Sequence, residues 1–189
     1  MKKSILITIG IILVVILLLI GNYIKTYNSI ISLKENVDKE YSNISIQLER
    51  RADLVPNLAK TVKGYTSHEE KIITEITEAR KAINNAKNIK EMGEANAKLT
   101  SALNSLNVIV ENYPELKSNE NFINLQDELA GTENRISVAR KNYNDAAEQY
   151  NSKIKKIPSN IVASISNMEQ VDYFTTTDEK TAVPEVDFE

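Results

Sequence analysis

NENFINLQDELAGTENRISVARKNYNDAAEQYNSKIKK, residues 119–156, decides the fold. Phe122, Leu125, Leu129, Ile136, Ala139, Tyr143, Ala147, Tyr150 and Ile154 recur in it at steps of three, four and seven, separated by charged and amide residues. A helix turns once every ~3.6 residues and returns such positions to one side. The spacing therefore predicts one amphipathic helix from about Asn119 to Lys156, roughly 57 Å long.

Upstream, the same pattern appears three more times. Ile30, Leu33, Val37, Tyr41, Ile44, Leu48 and Val55 form a first stripe. Pro56 has no N–H and crowds the turn before it, so this helix is expected to end or kink within Arg51–Pro56, with Asp53 as cap for its successor. A second stripe comes next: Leu58, Val62, Tyr65, Ile72, Ile76, Ala79, Ile83 and Ala86. Gly64 and the capping pattern Ser67-His68-Glu69-Glu70 interrupt it without changing its phase, so one long helix is expected there, then a turn around Asn88–Gly93. The third stripe is Leu99, Ala102, Leu103, Leu106, Ile109 and Val110; it stops at Tyr113-Pro114, and Ser118 or Asn119 can cap the next helix.

Four stripes joined by short polar connections bury their apolar sides best against one another, which makes the fold class all-α, a long-helix antiparallel bundle of about four helices. An extended coiled-coil dimer uses the same stripes between two chains, and periodicity does not choose between the two. Beyond Pro158, Ser159 is placed to cap a short helix through Ile165, and the acidic, Thr-rich residues 172–189 read as a flexible tail.

At the other end, residues 4–24 read SILITIGIILVVILLLIGNYI and carry no charge. As a helix they extend roughly 31 Å, enough to cross a hydrocarbon core, with Tyr23 and Tyr27 at interfacial depth. Lys2 and Lys3 before an apolar run also open a secretory signal, but the exit Leu19-Ile20-Gly21-Asn22-Tyr23 has no small-residue cleavage site, so a retained anchor is expected. Lys2, Lys3 and the amino terminus precede the span. Lys25, Lys34 and Lys39 come after it among Glu35, Asp38 and Glu40, so charge mildly favours a cytoplasmic N-terminus with the bundle outside.

Composition narrows the chemistry. The chain has no cysteine, which removes disulfides, thiolate zinc sites and cysteine nucleophiles. The net charge of −3 is concentrated in Asp172, Asp178, Glu179, Glu185, Asp187 and Glu189, opposed there only by Lys180. The rest is close to neutral and has no basic stripe for phosphates, so no nucleic-acid partner is expected. His68 is the single histidine, and its neighbours Ser67, Glu69 and Glu70 point in different directions on a helix, which suits a solvated or capping role. A two-metal bundle site needs paired Glu-x-x-His motifs, whereas Tyr65 stands three residues before His68. Arg50 and Arg51 read as cations closing a helix C-terminus, with a carboxylate or phospholipid headgroup as the alternative ligand. Tyr41, Tyr65, Tyr143 and Tyr150 lie on the stripes and read as core. Catalytic, cofactor-binding and metal-ligating residues are all expected to be none.

Several blocks in order resemble the LemA family of bacterial membrane proteins. The most specific is Gln47-Leu48-Glu49-Arg50-Arg51-Ala52-Asp53-Leu54-Val55-Pro56-Asn57-Leu58, continuing to Val62-Lys63-Gly64-Tyr65 and His68-Glu69. Others are Tyr113-Pro114-Glu115-Leu116-Lys117, Leu125-Gln126-Asp127-Glu128-Leu129, Glu133-Asn134-Arg135-Ile136, Ala139-Arg140, Tyr143-Asn144, Pro158-Ser159-Asn160 and Val183-Pro184-Glu185-Val186-Asp187-Phe188. Glu49, where a basic residue is common, is a minor departure. The resemblance implies an N-terminal transmembrane helix before a long-helix bundle. It implies no reaction, and family topologies often place the N-terminus outside the cell, against the charge argument.

The expected organisation is therefore a flank at 1–3, a transmembrane helix at 4–24, a bundle at 25–171 and the acidic tail at 172–189. The expected function is that of a membrane-anchored, non-enzymatic interaction or scaffolding protein. Its expected partners are lipid around the N-terminal helix and a protein whose identity the sequence does not give; homo-oligomerisation is open to it, through the stripes in the coiled-coil alternative. The alternative is a membrane-tethered sensor that binds a small apolar ligand or lipid.

Overall fold

A computed structural model describes residues 2–65 and 69–175, with side chains from Leu6 onward. Among the described residues the helices, in order, are α1 (Lys2–Lys63), α2 (Glu70–Asn85), α3 (Ile89–Val110), α4 (Pro114–Lys117), α5 (Glu120–Lys155) and α6 (Ser159–Ile165). No strand occurs among those residues. The helices fall into two compact units, one from residues up to 39 with 145–171, the other from 40–144 with the chain from 172 on.

In the second unit, hydrogen bonds fix the helix directions. Tyr41 donates to the Lys87 carbonyl at the start of α3, and Arg51 donates to Asn96 and Thr100 farther along, so α1 and α3 run the same way. Asn119 bonds the Tyr65 hydroxyl near the end of α1 while Glu133 pairs with Arg51, so α5 runs opposite to them. The core between them is the predicted set: Ile44, Leu48, Val55, Leu58, Ile72, Ile76, Leu99, Leu106, Leu129 and Ile136 are all buried. Tyr65 is an exception and is exposed, its ring outside the stripe that periodicity assigned to it.

Two boundaries differ from expectation. α1 passes through Pro56 without ending at Arg51–Pro56. A proline inside a helix leaves the carbonyl four residues earlier without its donor. Here that carbonyl belongs to Ala52, and Arg80 from α2 reaches it through Nε at 3.2 Å. The break comes instead after Lys63, where Gly64 and Tyr65 close the helix in a turn. The second stripe is therefore carried by two helices, α1 and α2. Of the expected capping pattern, Ser67 and His68 lie outside the described residues, and Glu69, at the N-cap of α2, makes no side-chain cap.

The next connection is shorter than expected: α2 ends at Asn85 and Asn88 already caps α3, accepting from the Glu91 N–H at 2.9 Å. The Glu91 carboxylate in turn accepts from Asn88 Nδ2 and from the Lys87 N–H just before the cap, so a backbone donor at the helix start is satisfied. Gly93 consequently lies inside α3. Pro114 opens α4, and Asn119 caps α5 by accepting from the Phe122 N–H at 3.0 Å.

In the first unit, Ile30 and Val37 of α1 and Ala147, Tyr150 and Ile154 of α5 are buried, together with Val162 and Ala163 of α6. Residues 6–25 of α1 are exposed throughout. This is the one stretch among the described residues apolar and long enough to cross a membrane, with a mean hydropathy of 2.7.

Candidate functional site

Among the described residues, inward-facing polar groups are connected by hydrogen bonds at two notable places, one buried in the bundle and one along α5. In the bundle, Arg51 is only 3% exposed. Helical periodicity puts it beside Leu48 and Val55, on the side of α1 that faces the other helices. Its Nη1 donates to Asn96 Oδ1 at 2.6 Å and Thr100 Oγ1 at 3.1 Å, both on α3, and pairs with the Glu133 carboxylate of α5. One guanidinium thus ties three helices. Burial lowers the Arg51 pKa and the Glu133 charge opposes that, which leaves an arginine ionised at neutral pH. Its Nε and the Gln47 Oε1 are buried with no hydrogen-bond partner among the described residues.

This corrects the sequence reading of the Arg50-Arg51 pair. No helix ends there, so neither cation closes a C-terminus. Arg50 is exposed and faces Glu128 at 3.5 Å, a solvent-screened pair.

The second place is built by a repeated Tyr-Asn pair on α5, at 143–144 and 150–151. In the unit containing residues 40–144, Tyr143 donates to the Asp172 carbonyl at 2.8 Å. Asn144 accepts from the Phe174 N–H at 2.8 Å and donates to the Phe174 carbonyl at 3.1 Å. In the other unit, Tyr150 donates to the Glu169 carbonyl at 3.0 Å, and Asn151 makes both bonds with Val171, each 2.9 Å. A side-chain amide offers the same donor and acceptor as a peptide, so each asparagine pairs with an extended segment as a neighbouring strand would. Burial raises the Tyr150 pKa, and the Asp38 carboxylate adds to the rise.

Residues 172–174, read from sequence as the start of a flexible tail, are thus held in place, and Phe174 is 2% exposed. Gly93 of α3 makes room for them: a Cβ there would stand 2.1 Å from the Thr175 carbonyl oxygen. The tail from residue 176 lies outside the described residues.

Glu69, part of the only histidine's neighbourhood, accepts from the Tyr113 hydroxyl at 3.1 Å, and this bond raises the Tyr113 pKa. His68 itself lies outside the described residues. Among those residues no three His, Cys, Asp or Glu side chains gather as a metal site. Among the described residues, a surface groove of about 670 Å³ is lined by Asn57, Lys60, Tyr65, Asn119, Leu125 and Glu128 among others.

The carboxylate named as the alternative ligand of Arg50 and Arg51 is met by Arg51 in Glu133, whereas Asn96 and Thr100 and the clamps along α5 were not anticipated. Tyr143 and Tyr150 were legible as buried, but the asparagines beside them were not legible as backbone clamps. The available signal was the Tyr-Asn dipeptide recurring at a spacing of seven on one helix.

The chain is similar to magnetosome protein MamQ 2 of Paramagnetospirillum magneticum, 25% identical over 181 residues that cover 82% of this chain and 66% of that protein. Magnetosome protein MamQ of Magnetospirillum gryphiswaldense is 26% identical over 174 residues, 78% of this chain and 64% of its own length. Protein LemA of Metamycoplasma hominis is 25% identical over 157 residues, 82% and 72% of the two chains. The chain thus spans just under two thirds of the length of the MamQ relatives. The LemA family model matches residues 40–188, which include both the Arg51 tie and the Tyr-Asn clamps, and the chain belongs to the LemA family.

Proposed function

We propose that the protein is a single-pass membrane protein whose helical bundle acts as a non-enzymatic interaction or scaffolding platform. The observation that carries this reading is the continuity of α1: one helix, Lys2–Lys63, contains the exposed apolar stretch and also contributes a buried side to the bundle. α1 runs without a break from the apolar stretch into the bundle, so the anchor tethers the bundle to the membrane. Confinement raises the effective concentration of a weak protein contact. The buried polar groups support the same reading, because Arg51, Asn144 and Asn151 are spent on holding helices and backbone together.

The charge pattern favours the N-terminus in the cytoplasm and the bundle outside. Protease added to intact cells and to lysed cells tests this: cleavage in both supports an outer bundle, and protection until lysis reverses the orientation. For the interaction role, detergent-solubilised protein with and without residues 176–189 is used as bait after crosslinking in cells. A partner recovered at stoichiometric yield supports the platform; recovery of nothing above an anchor-only control argues against it. Removing only residues 176–189 leaves Phe174 and its hydrogen bonds in place.

A further inference from the structure

α6 is too small to bury both of its sides. Ser159, Val162 and Ala163 face inward. Ile161 and Ile165 face out, 57% and 65% exposed, and Ile157 just before the helix is 83% exposed. Ile161 and Ile165, four residues apart in α6, lie on one side of it about 6 Å apart along the axis, and Ile157 is exposed just before the helix. Ile161 and Ile165 leave one side of α6 apolar and exposed, with the exposed Ile157 next to the helix in sequence, and exposed apolar patches mark contact surfaces.

The surroundings identify the contact. Ser166, immediately after α6, shares a 3.1 Å hydrogen bond with the hydroxyl of Tyr23, and the Tyr23 ring stacks on Tyr27 with centroids 6.3 Å apart. Tyr23 closes the apolar stretch of α1, where an aromatic ring sits at the level of the lipid headgroups. The end of α6 is therefore held at that level. Exposed Lys155 and Lys156 precede the patch and provide cations for phosphate headgroups, with long stems that can lie along acyl chains.

We infer that α6 is an interfacial membrane contact: Ile157, Ile161 and Ile165 insert at the boundary between headgroups and acyl chains of the bilayer that holds α1. This rests on the reading of residues 4–24 as a span. A seven-residue helix binds lipid weakly on its own, but here the span delivers it to the surface, so no independent affinity is required. The consequence is a second point of attachment, which restrains the tilt of α1 where it leaves the bilayer.

Because the chain has no cysteine, single cysteines report without background. Ile161→Cys, Ile165→Cys, Leu13→Cys and Val138→Cys, each at an exposed position, are labelled with an environment-sensitive fluorophore. The full-length proteins are then reconstituted into phosphatidylcholine–phosphatidylglycerol vesicles containing doxyl-labelled lipid. Expected are blue-shifted emission at 161 and 165 quenched most by shallow doxyl groups, deep quenching at 13, and water-like emission at 138. Water-like emission at 161 and 165 with deep quenching at 13 overturns the interfacial contact and leaves the span intact. A blue shift without lipid quenching puts a protein surface, such as a second copy, on the patch and overturns it too. Absence of quenching at 13 removes the span and this inference with it.

Discussion

Asn151 shows how much a single side chain holds in place. Its amide satisfies both the N–H and the carbonyl of Val171, and truncation leaves the two unpaired beside a buried stretch of α5. An unsatisfied buried group costs about 1–3 kcal/mol, so Asn151→Ala is expected to lower unfolding free energy by about 2 kcal/mol in denaturant melts. Asn151→Asp keeps the acceptor and loses the donor, and is expected to fall between the two; equal stability of all three forms would remove the clamp. Arg51 makes the complementary case. Glu133→Ala leaves a desolvated guanidinium without its countercharge, for which about 3 kcal/mol is usual, reduced here to about 2 because Glu133 is partly solvent-exposed. Arg51→Met removes the charge while keeping much of the volume and is expected to rescue part of that loss in the Glu133→Ala background. A double variant less stable than Glu133→Ala would show that Arg51 acts through its contacts with Asn96 and Thr100 instead. Beyond a carboxylate as the alternative ligand of Arg51, neither role was legible in the sequence, because hydrophobic periodicity locates a buried side and is silent about which polar residue will find a partner there.

At the scale of elements, the stripes were legible and the breaks were not. Pro56 was read as a boundary from its local penalty, yet the penalty is relieved by a residue 24 positions later: Arg80 supplies the donor that Ala52 lacks. Sequence patterns hold no information about that distant pairing. It can be measured. Arg80→Met is expected to cost about 1 kcal/mol in the native background and much less in Pro56→Ala, where a backbone N–H returns to the Ala52 carbonyl. Pro56→Ala alone is expected to raise stability by roughly 1–2 kcal/mol, since helix propensity gains more than the unfolded chain's freedom loses. Additive effects across the four proteins would mean that the two residues act separately. Gly93 was read as part of a turn for a similar reason: inside a helix its value comes from the Phe174–Thr175 segment passing over it, a contact made across 81 residues. Gly93→Ala gains about 1 kcal/mol of propensity but forces the Thr175 carbonyl away, and Phe174 with it. The expected net loss is about 1–2 kcal/mol, with faster hydrogen exchange at the Phe174 amide. Higher stability with unchanged protection would show that the segment yields without cost.

For the whole molecule, the apolar N-terminal stretch and the folded remainder obey different solvents. Twenty residues of α1, 6–25, are exposed while most other long apolar side chains among the described residues are buried, so they add no buried side chain to the core. Each stretch was legible from its own periodicity, uninterrupted in one case and one-sided in the others, because the choice between lipid and protein burial is made by how many sides of a helix are apolar. A fragment beginning at Asn28 therefore loses no core residue. The bond it gives up, Tyr23 to Ser166, is solvent-exposed and contributes little. The fragment is expected to melt cooperatively, within a few degrees of the full-length protein in detergent, and to stay in the aqueous phase of a detergent phase separation, while the full-length chain moves to the detergent phase. Loss of cooperative melting in the fragment would mean that residues 1–27 are part of the fold. Full-length protein remaining in the aqueous phase would mean that they are not an anchor, and the membrane reading of α1, on which the interfacial contact of α6 depends, would fail.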